Sequence, residues 1–248
     1  MKIKSALTTF ITVLSFSAIT SVSAAIINLN TTIRDMSDDH PDFQSYCCGS
    51  VKGMVGLTLG NDGTPTFIGG RMNTTPDNFS DWYSIGTDHV LGEMNYSLAF
   101  DNTITTDPNI YTFTDSTFFP IDGLLGGNDG RSHNYHFTLR LNTDFTFNGG
   151  ETFTFTGDDD VWVFIDDQRV IDLGGIHRAE SASVDLDSLG LKRGNDYSLD
   201  LFFAERHTSQ SNFRIDTTIQ LKPVPEPSGI ILMSASLFGL SLLRRRIK

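Results

Sequence analysis

The segment Val161–Ile165, VWVFI, is apolar at five successive positions. A strand that is apolar on both faces needs cover on both sides, so this run reads as a central strand of a layered structure. Around it the pattern is alternation. Phe153 and Phe155 are spaced by threonines, Tyr135, Phe137, Leu139 and Leu141 share one face, and Phe213, Ile215, Thr217, Ile219 and Leu221 share another. Such period-two segments are half-buried antiparallel strands. Asp166-Asp167-Gln168 predicts a hairpin turn into Arg169–Leu173, which Gly174-Gly175 ends. Further turns are marked by Asn61-Asp62-Gly63, Asn128-Asp129-Gly130, Asn148-Gly149-Gly150 and Gly194-Asn195-Asp196. No long segment has a helical period; one short helix is predicted, opened by Thr75-Pro76-Asp77 and running to Tyr83, with Trp82 and Tyr83 inward. Many short strands with such punctuation predict an all-β fold, an antiparallel β-sandwich or barrel.

Both ends look like addresses rather than parts of that fold. Lys2 and Lys4 precede an apolar stretch from Ala6 to Ile19, and Val22-Ser23-Ala24 offers small residues for cleavage, so residues 1–24 read as a signal peptide. At the other end Pro225-Glu226-Pro227 is followed by an uncharged apolar run, 229–243, and then by Arg244, Arg245 and Arg246. That run is shorter than the ~20 residues an unaided helix needs to span a bilayer, and its basic flank favours the cytoplasmic side. The order of motif, apolar segment and basic stop resembles a PEP-CTERM sorting tail, here residues 223–248. The resemblance implies a Gram-negative bacterium, an exosortase that cuts near the triplet, a transient stay in the inner membrane, and a final place at the cell surface or outside it. An ordinary C-terminal anchor or a buried helix is the alternative.

Residues 25–222 remain, a length that suits one domain with a sizeable core. Six of the 18 basic residues lie in the two ends, but only Glu226 of the 30 acidic ones does, so the middle holds 29 acids against 12 bases, a formal −17. That balance argues against nucleic acid or anionic lipid as a partner and suits cation binding and an ionic extracellular setting. The two cysteines, Cys47 and Cys48, are adjacent. Neighbours can pair only through a strained ring, which excludes a disulfide framework.

Thr156-Gly157-Asp158-Asp159-Asp160 joins two predicted strands and sets three carboxylates directly before the buried Val161. Like charges so close raise one another's pKa unless a cation or backbone donors compensate. Calcium, which takes six to eight oxygen ligands in flexible geometry, is the natural compensation. A solvated acidic turn is the other reading.

The run from Thr154 to Leu191, TFTGDDDVWVFIDDQRVIDLGGIHRAESASVDLDSLGL, with YSLDLFFAERHTSQSNFRIDTT after it, resembles the fibro-slime domain, a relative of the protective-antigen type of lectin-like β-sandwich. The likeness extends through TIRD at Thr32, HPDF at His40, GMV at Gly53, LGNDGTP at Leu59, FSDWY at Phe79, FFPIDG at Phe118 and HNYHFTLRL at His133. It implies an antiparallel sandwich. From related sugar-binding domains it also implies calcium held by an aspartate pair joined through a cis peptide, here Asp158 and Asp159. Asp160 stands where a small residue is usual, and an asparagine from a later loop, here Asn212, completes the site. The metal-binding candidates are therefore Asp158, Asp159, Asp160 and Asn212.

Other residues carry less. His133 and His136 fall on opposite faces of a strand and suit joint ligation of zinc poorly; His177 and His207 lie apart. Asp172, Glu180 and Glu205 could serve a glycosidase only if two of them stood about 5 to 10 Å apart across a cleft, and their default is solvation or ion pairing, Glu205 with Arg206 or Arg214. No nucleophile-elbow, zinc-protease or phosphate-cradling motif is present in the sequence. Trp162 and Phe164 are expected in the core, and Tyr135 or Phe119 is the better candidate for an aromatic facing a glycan. The expected function is a non-enzymatic, exported module that binds exopolysaccharide or another surface glycan through a calcium loop. A structural or adhesive matrix protein without sugar binding, and a glycan-cleaving enzyme, are the competing expectations.

Overall fold

The computed structural model describes residues 24–43, 49–70 and 74–222. Among them run twelve strands: β1 (Ile26–Met36), β2 (Val55–Leu59), β3 (Pro65–Phe67), β4 (Val90–Asp101), β5 (Tyr111–Asp115), β6 (Phe137–Thr146), β7 (Thr152–Gly157), β8 (Asp160–Ile165), β9 (Gln168–Leu173), β10 (Glu180–Asp185), β11 (Asp196–Glu205) and β12 (Phe213–Thr217). They pair antiparallel in the order β10-β7-β12-β5-β4-β1-β6-β11-β8-β9-β2-β3. The all-β antiparallel sandwich expected from the sequence is the fold observed.

Strand β8 explains why VWVFI is apolar throughout. All six of its residues are buried, and it pairs with β11 on one side and β9 on the other. Val161, Val163 and Ile165 enter the main core, whereas Trp162 and Phe164 enter a second core with Phe43, Phe79, Trp82, Tyr83 and Phe202. The main core is closed because the sheet turns back over itself. Phe155 of β7 and Phe203 of β11 both meet the ring of Phe213 from β12 at 5.1 Å between centroids. Burying each such side chain contributes roughly 1.5 to 3 kcal/mol.

Local chemistry follows the sequence closely. Asp166 and Asp167 both take left-handed φ, 50° and 60°, the two-residue turn whose twist matches that of paired strands. Helix α1 (Pro76–Asp81) is capped by the Thr75 side chain, which accepts from the Asn78 N–H, and has a proline in its first turn. Trp82 and Tyr83 are buried as expected. Among the described residues no helix is long and apolar enough to cross a membrane. The sorting motif, the apolar run 229–243, both cysteines and all of the signal peptide but Ala24 lie outside the described residues.

Strand direction sends six connections to the same end of the sandwich. Asp35 of β1 pairs with Phe137 at the start of β6, Glu205 at the end of β11 pairs with that same Phe137, and Ala204 pairs with Asp160 at the start of β8. Val161 pairs with Leu173 at the end of β9, and Gly157 at the end of β7 pairs with the first residues of β10 and β12. The described loop residues 37–43 and 49–54 and the loops 82–89, 116–136, 158–159, 174–179 and 206–212 therefore gather there.

Candidate functional site

Asp158 and Asp159 form the whole connection between β7 and β8, and the peptide bond between them is cis. The Asp158 carboxylate accepts from the Asn212 backbone N–H at 2.5 Å on one oxygen and from its side-chain Nδ2 at 2.9 Å on the other. Asp159 accepts from the backbone N–H groups of His177 and Arg206, each at 3.1 Å. Gly157 makes the approach of Asn212 possible, since a Cβ there would overlap the Asn212 carbonyl oxygen. Thus the structure joins three of the four candidate metal ligands in one place, and loops distant in sequence hold them.

Asp160 goes elsewhere. It belongs to β8, on the face shared by Trp162 and Phe164, so pleating turns it towards the second core rather than into the turn. There one of its oxygens meets Nε and Nη2 of Arg206, both at 2.6 Å, and the other accepts from the Gly175 N–H at 2.5 Å. Arg206 is itself fully buried, with its guanidinium 4.7 Å from the Trp82 ring and Nη1 donating to the Asp42 carbonyl at 3.2 Å. The Asp160–Arg206 pair is a pillar beneath the loop end. In this structure Asp160 is the partner of a cation already present.

Glu205 takes the place near the aspartate pair that sequence reasoning had not assigned. It is completely buried. Neither Arg206 nor Arg214 pairs with it, contrary to the sequence expectation: Arg206 bridges to Asp160 and Arg214 to Asp216 at 2.6 Å. Its Oε1 accepts from the His207 N–H at 3.2 Å. Burial pushes the Glu205 carboxyl well above the usual carboxylate range, and the charges of Asp159 and Asp158 push it further. Burial likewise raises Asp159 to about 7, with Asp160 adding and Arg206 opposing. Three buried carboxylates therefore feel one another while Arg206, buried beside them, is bonded to a fourth. The alternation of FFAER hinted at this, because Phe203 and Glu205 fall on one face of β11, but which carboxylates lie across from it depends on strand pairing.

The remaining candidates are structural in their contacts. Asp172 accepts from Trp162 Nε1 at 3.1 Å and from the Gly53 N–H at 2.8 Å, and Glu180 accepts from the Ser50 hydroxyl. His177 directs both ring nitrogens at backbone carbonyls, and His207 meets Ser209. His40, Asp81 and His89 form a cluster that sequence spacing did not reveal. His40 Nδ1 accepts from the Asp42 N–H at 3.1 Å, so its proton sits on Nε2, which faces the Asn78 carbonyl and Asp81. That nitrogen has no lone pair to offer a metal, and the cluster reads as a closed hydrogen-bond network. Of the aromatics proposed to face a glycan, Tyr135 is buried and Phe119 half-buried.

Comparison with known proteins bears on this end of the molecule. Residues 105–227 match the PA14 domain. Protein psiQ of Dictyostelium discoideum is 39% identical over 79% of this chain and 21% of its own length, and protein psiC of the same organism is 37% identical over 85% of this chain and 45% of its own. The chain thus spans less than half the length of either relative. Among solved structures, the PA14 sugar-binding domain from an RTX adhesin aligns over 80% of this chain and 94% of that domain, at 9% identity and a TM-score of 0.35. The segment matched includes β7, β8, β11 and β12, and with them Asp158, Asp159, Glu205 and Asn212. Residues 105–227 of this chain are thus similar in sequence to a PA14 domain, and the described part of that segment is folded as antiparallel strands.

Proposed function

We propose that this chain is an exported, non-enzymatic module of the fibro-slime type that binds a glycan through calcium held at the Asp158–Asp159 turn. One observation carries the reading: Asp158, Asp159 and Glu205 are buried together at the loop end while Arg206 is committed to Asp160. Burying carboxylates without a counter-charge is costly, and an oxygen-only set with an asparagine alongside suits a hard cation. Asp158, Asp159 and the Asn212 amide oxygen would hold the ion, with Glu205 adjoining. Bound calcium would offer its remaining coordination positions to sugar hydroxyls; the protein's part is to fix the carboxylates through the amides of His177, Arg206 and Asn212. The PA14 match supports a glycan as ligand. Carboxylates this buried and tied to backbone amides favour binding over hydrolysis. The terminal motifs complete the reading, with the exosortase as processing partner and the cell surface or surrounding matrix as destination.

The test is thermal melting of the full chain in EDTA and in millimolar calcium or magnesium. A ligand that binds only the folded state stabilises by about 2.7 kcal/mol at a hundredfold excess over Kd. Calcium should raise the midpoint, magnesium much less, and Asp159→Asn should abolish the calcium increment. Melting that is indifferent to calcium, with no ion taken up in calorimetry, would remove the site.

A further inference from the structure

The loop 116–136 reaches the acidic turn through its first residues. The Phe118 N–H donates to the Ser211 carbonyl at 2.9 Å, one residue before Asn212, and the Phe118 ring lies 4.7 Å from that of Phe213. Phe118 being inward, the next residue turns out. Phe119 stacks on His133 with centroids 4.1 Å apart and planes 10° from parallel, and Tyr135 stands edge-on to both, at 5.0 and 5.8 Å. Behind the rings the loop is fastened by Asp35, which accepts from Asn134 Nδ2 at 2.8 Å and from the Gly126 N–H at 2.7 Å. The rings are therefore presented on a braced support.

The outer ring is poised for a polar ligand. His133 Nδ1 meets Asp122 Oδ2 at 2.6 Å, and because a carboxylate only accepts, Nδ1 carries the proton in the neutral ring and Nε2 keeps its lone pair. The other Asp122 oxygen is fixed by the Asn134 N–H at 2.7 Å. The His133 and Asp122 side chains remain 40% and 35% exposed. A core aromatic cluster would have no reason to leave its histidine, oriented by a carboxylate, at the surface of a loop whose Phe118 bonds to Ser211.

We propose that His133, backed by Phe119 and Tyr135, forms a second saccharide contact, seating a pyranose ring next to the one held at the acidic turn. The apolar C–H face of that ring lies on the imidazole, and its hydroxyls meet His133 Nε2 and Asp122. The inference rests on the glycan-binding reading above and adds that the natural ligand has at least two linked sugars.

Lactose, maltose and cellobiose, with the methyl pyranosides of glucose, galactose and mannose, serve as probes for the full chain in millimolar calcium. His133→Ala and Phe119→Ala should each weaken disaccharide binding about tenfold, leaving methyl pyranoside and calcium affinities within about twofold. In the wild-type chain, the His133 ring resonances should shift on adding the disaccharide, a readout that does not depend on either variant folding. Calcium-dependent disaccharide binding that both variants retain, with the His133 signals unmoved, would overturn the second contact and leave the glycan reading standing. A wild-type chain that binds calcium but none of the six sugars would overturn the glycan reading, and the second contact with it.

Discussion

Replacing Glu205 with glutamine should make the calcium-free protein more stable, by an amount that grows with pH. In the folded chain the Glu205 carboxyl is buried beside Asp159 and Asp158 and is held well above its ordinary value of 4.5. The folded state therefore retains a proton that the unfolded chain gives up above pH 4.5. For a group raised in this direction, the contribution to stability is complete below the unfolded value and is lost as pH climbs towards the folded one. The loss runs at about 1.4 kcal/mol per pH unit. Glutamine does not titrate, keeps an oxygen for the His207 N–H, and has nearly the same shape. Urea unfolding in EDTA at pH 5, 6 and 7 should give wild-type and variant curves that diverge by roughly 1 kcal/mol or more per unit, the variant becoming the more stable. Calcium should close the gap in the wild type, because an ion among the carboxylates replaces the proton. Wild-type and variant stabilities that stay parallel across this range would show that Glu205 is ionised and compensated in the calcium-free fold, and the electrostatic argument for the site would fall.

Two further outcomes are expected from the same reasoning. Phe155 is fully buried against Phe203 and Phe213, so Phe155→Ala should cost ~3 to 5 kcal/mol, whereas Thr154→Ala on the opposite face loses a side-chain hydrogen bond to Ser183 and should cost ~1 kcal/mol; equal denaturant midpoints would contradict the strand faces. Replacing Glu226, or removing Arg244 to Arg246, should leave an unprocessed form in the inner membrane, and surface delivery with unchanged gel mobility would refute the sorting role.

The periodicity of side chains marked several of the strands, β6 to β9 and β12 among them. Alternation at Phe153 and Phe155, the doubly apolar VWVFI and the turn at Asp166-Asp167 are local patterns, and local patterns survive in any fold that buries one face of a strand. The pairing of Asp158 with Asn212 was expected from resemblance alone, since 54 positions separate them in the chain. Which carboxylate would face which neighbour was not local at all. Asp160 follows Asp159 directly, yet the pleat of β8 sends it to Arg206, and the register of β8 against β11 brings Glu205 towards the aspartate pair instead. The stack of Phe119 on His133 depends in the same way on a loop folding back across fourteen residues and on Asp35 holding it there. Sequence decides which face of a strand a residue takes, because that depends on neighbours one and two positions away. Only the tertiary structure decides what that face meets, because the energies that select the pairing are summed over the whole sheet.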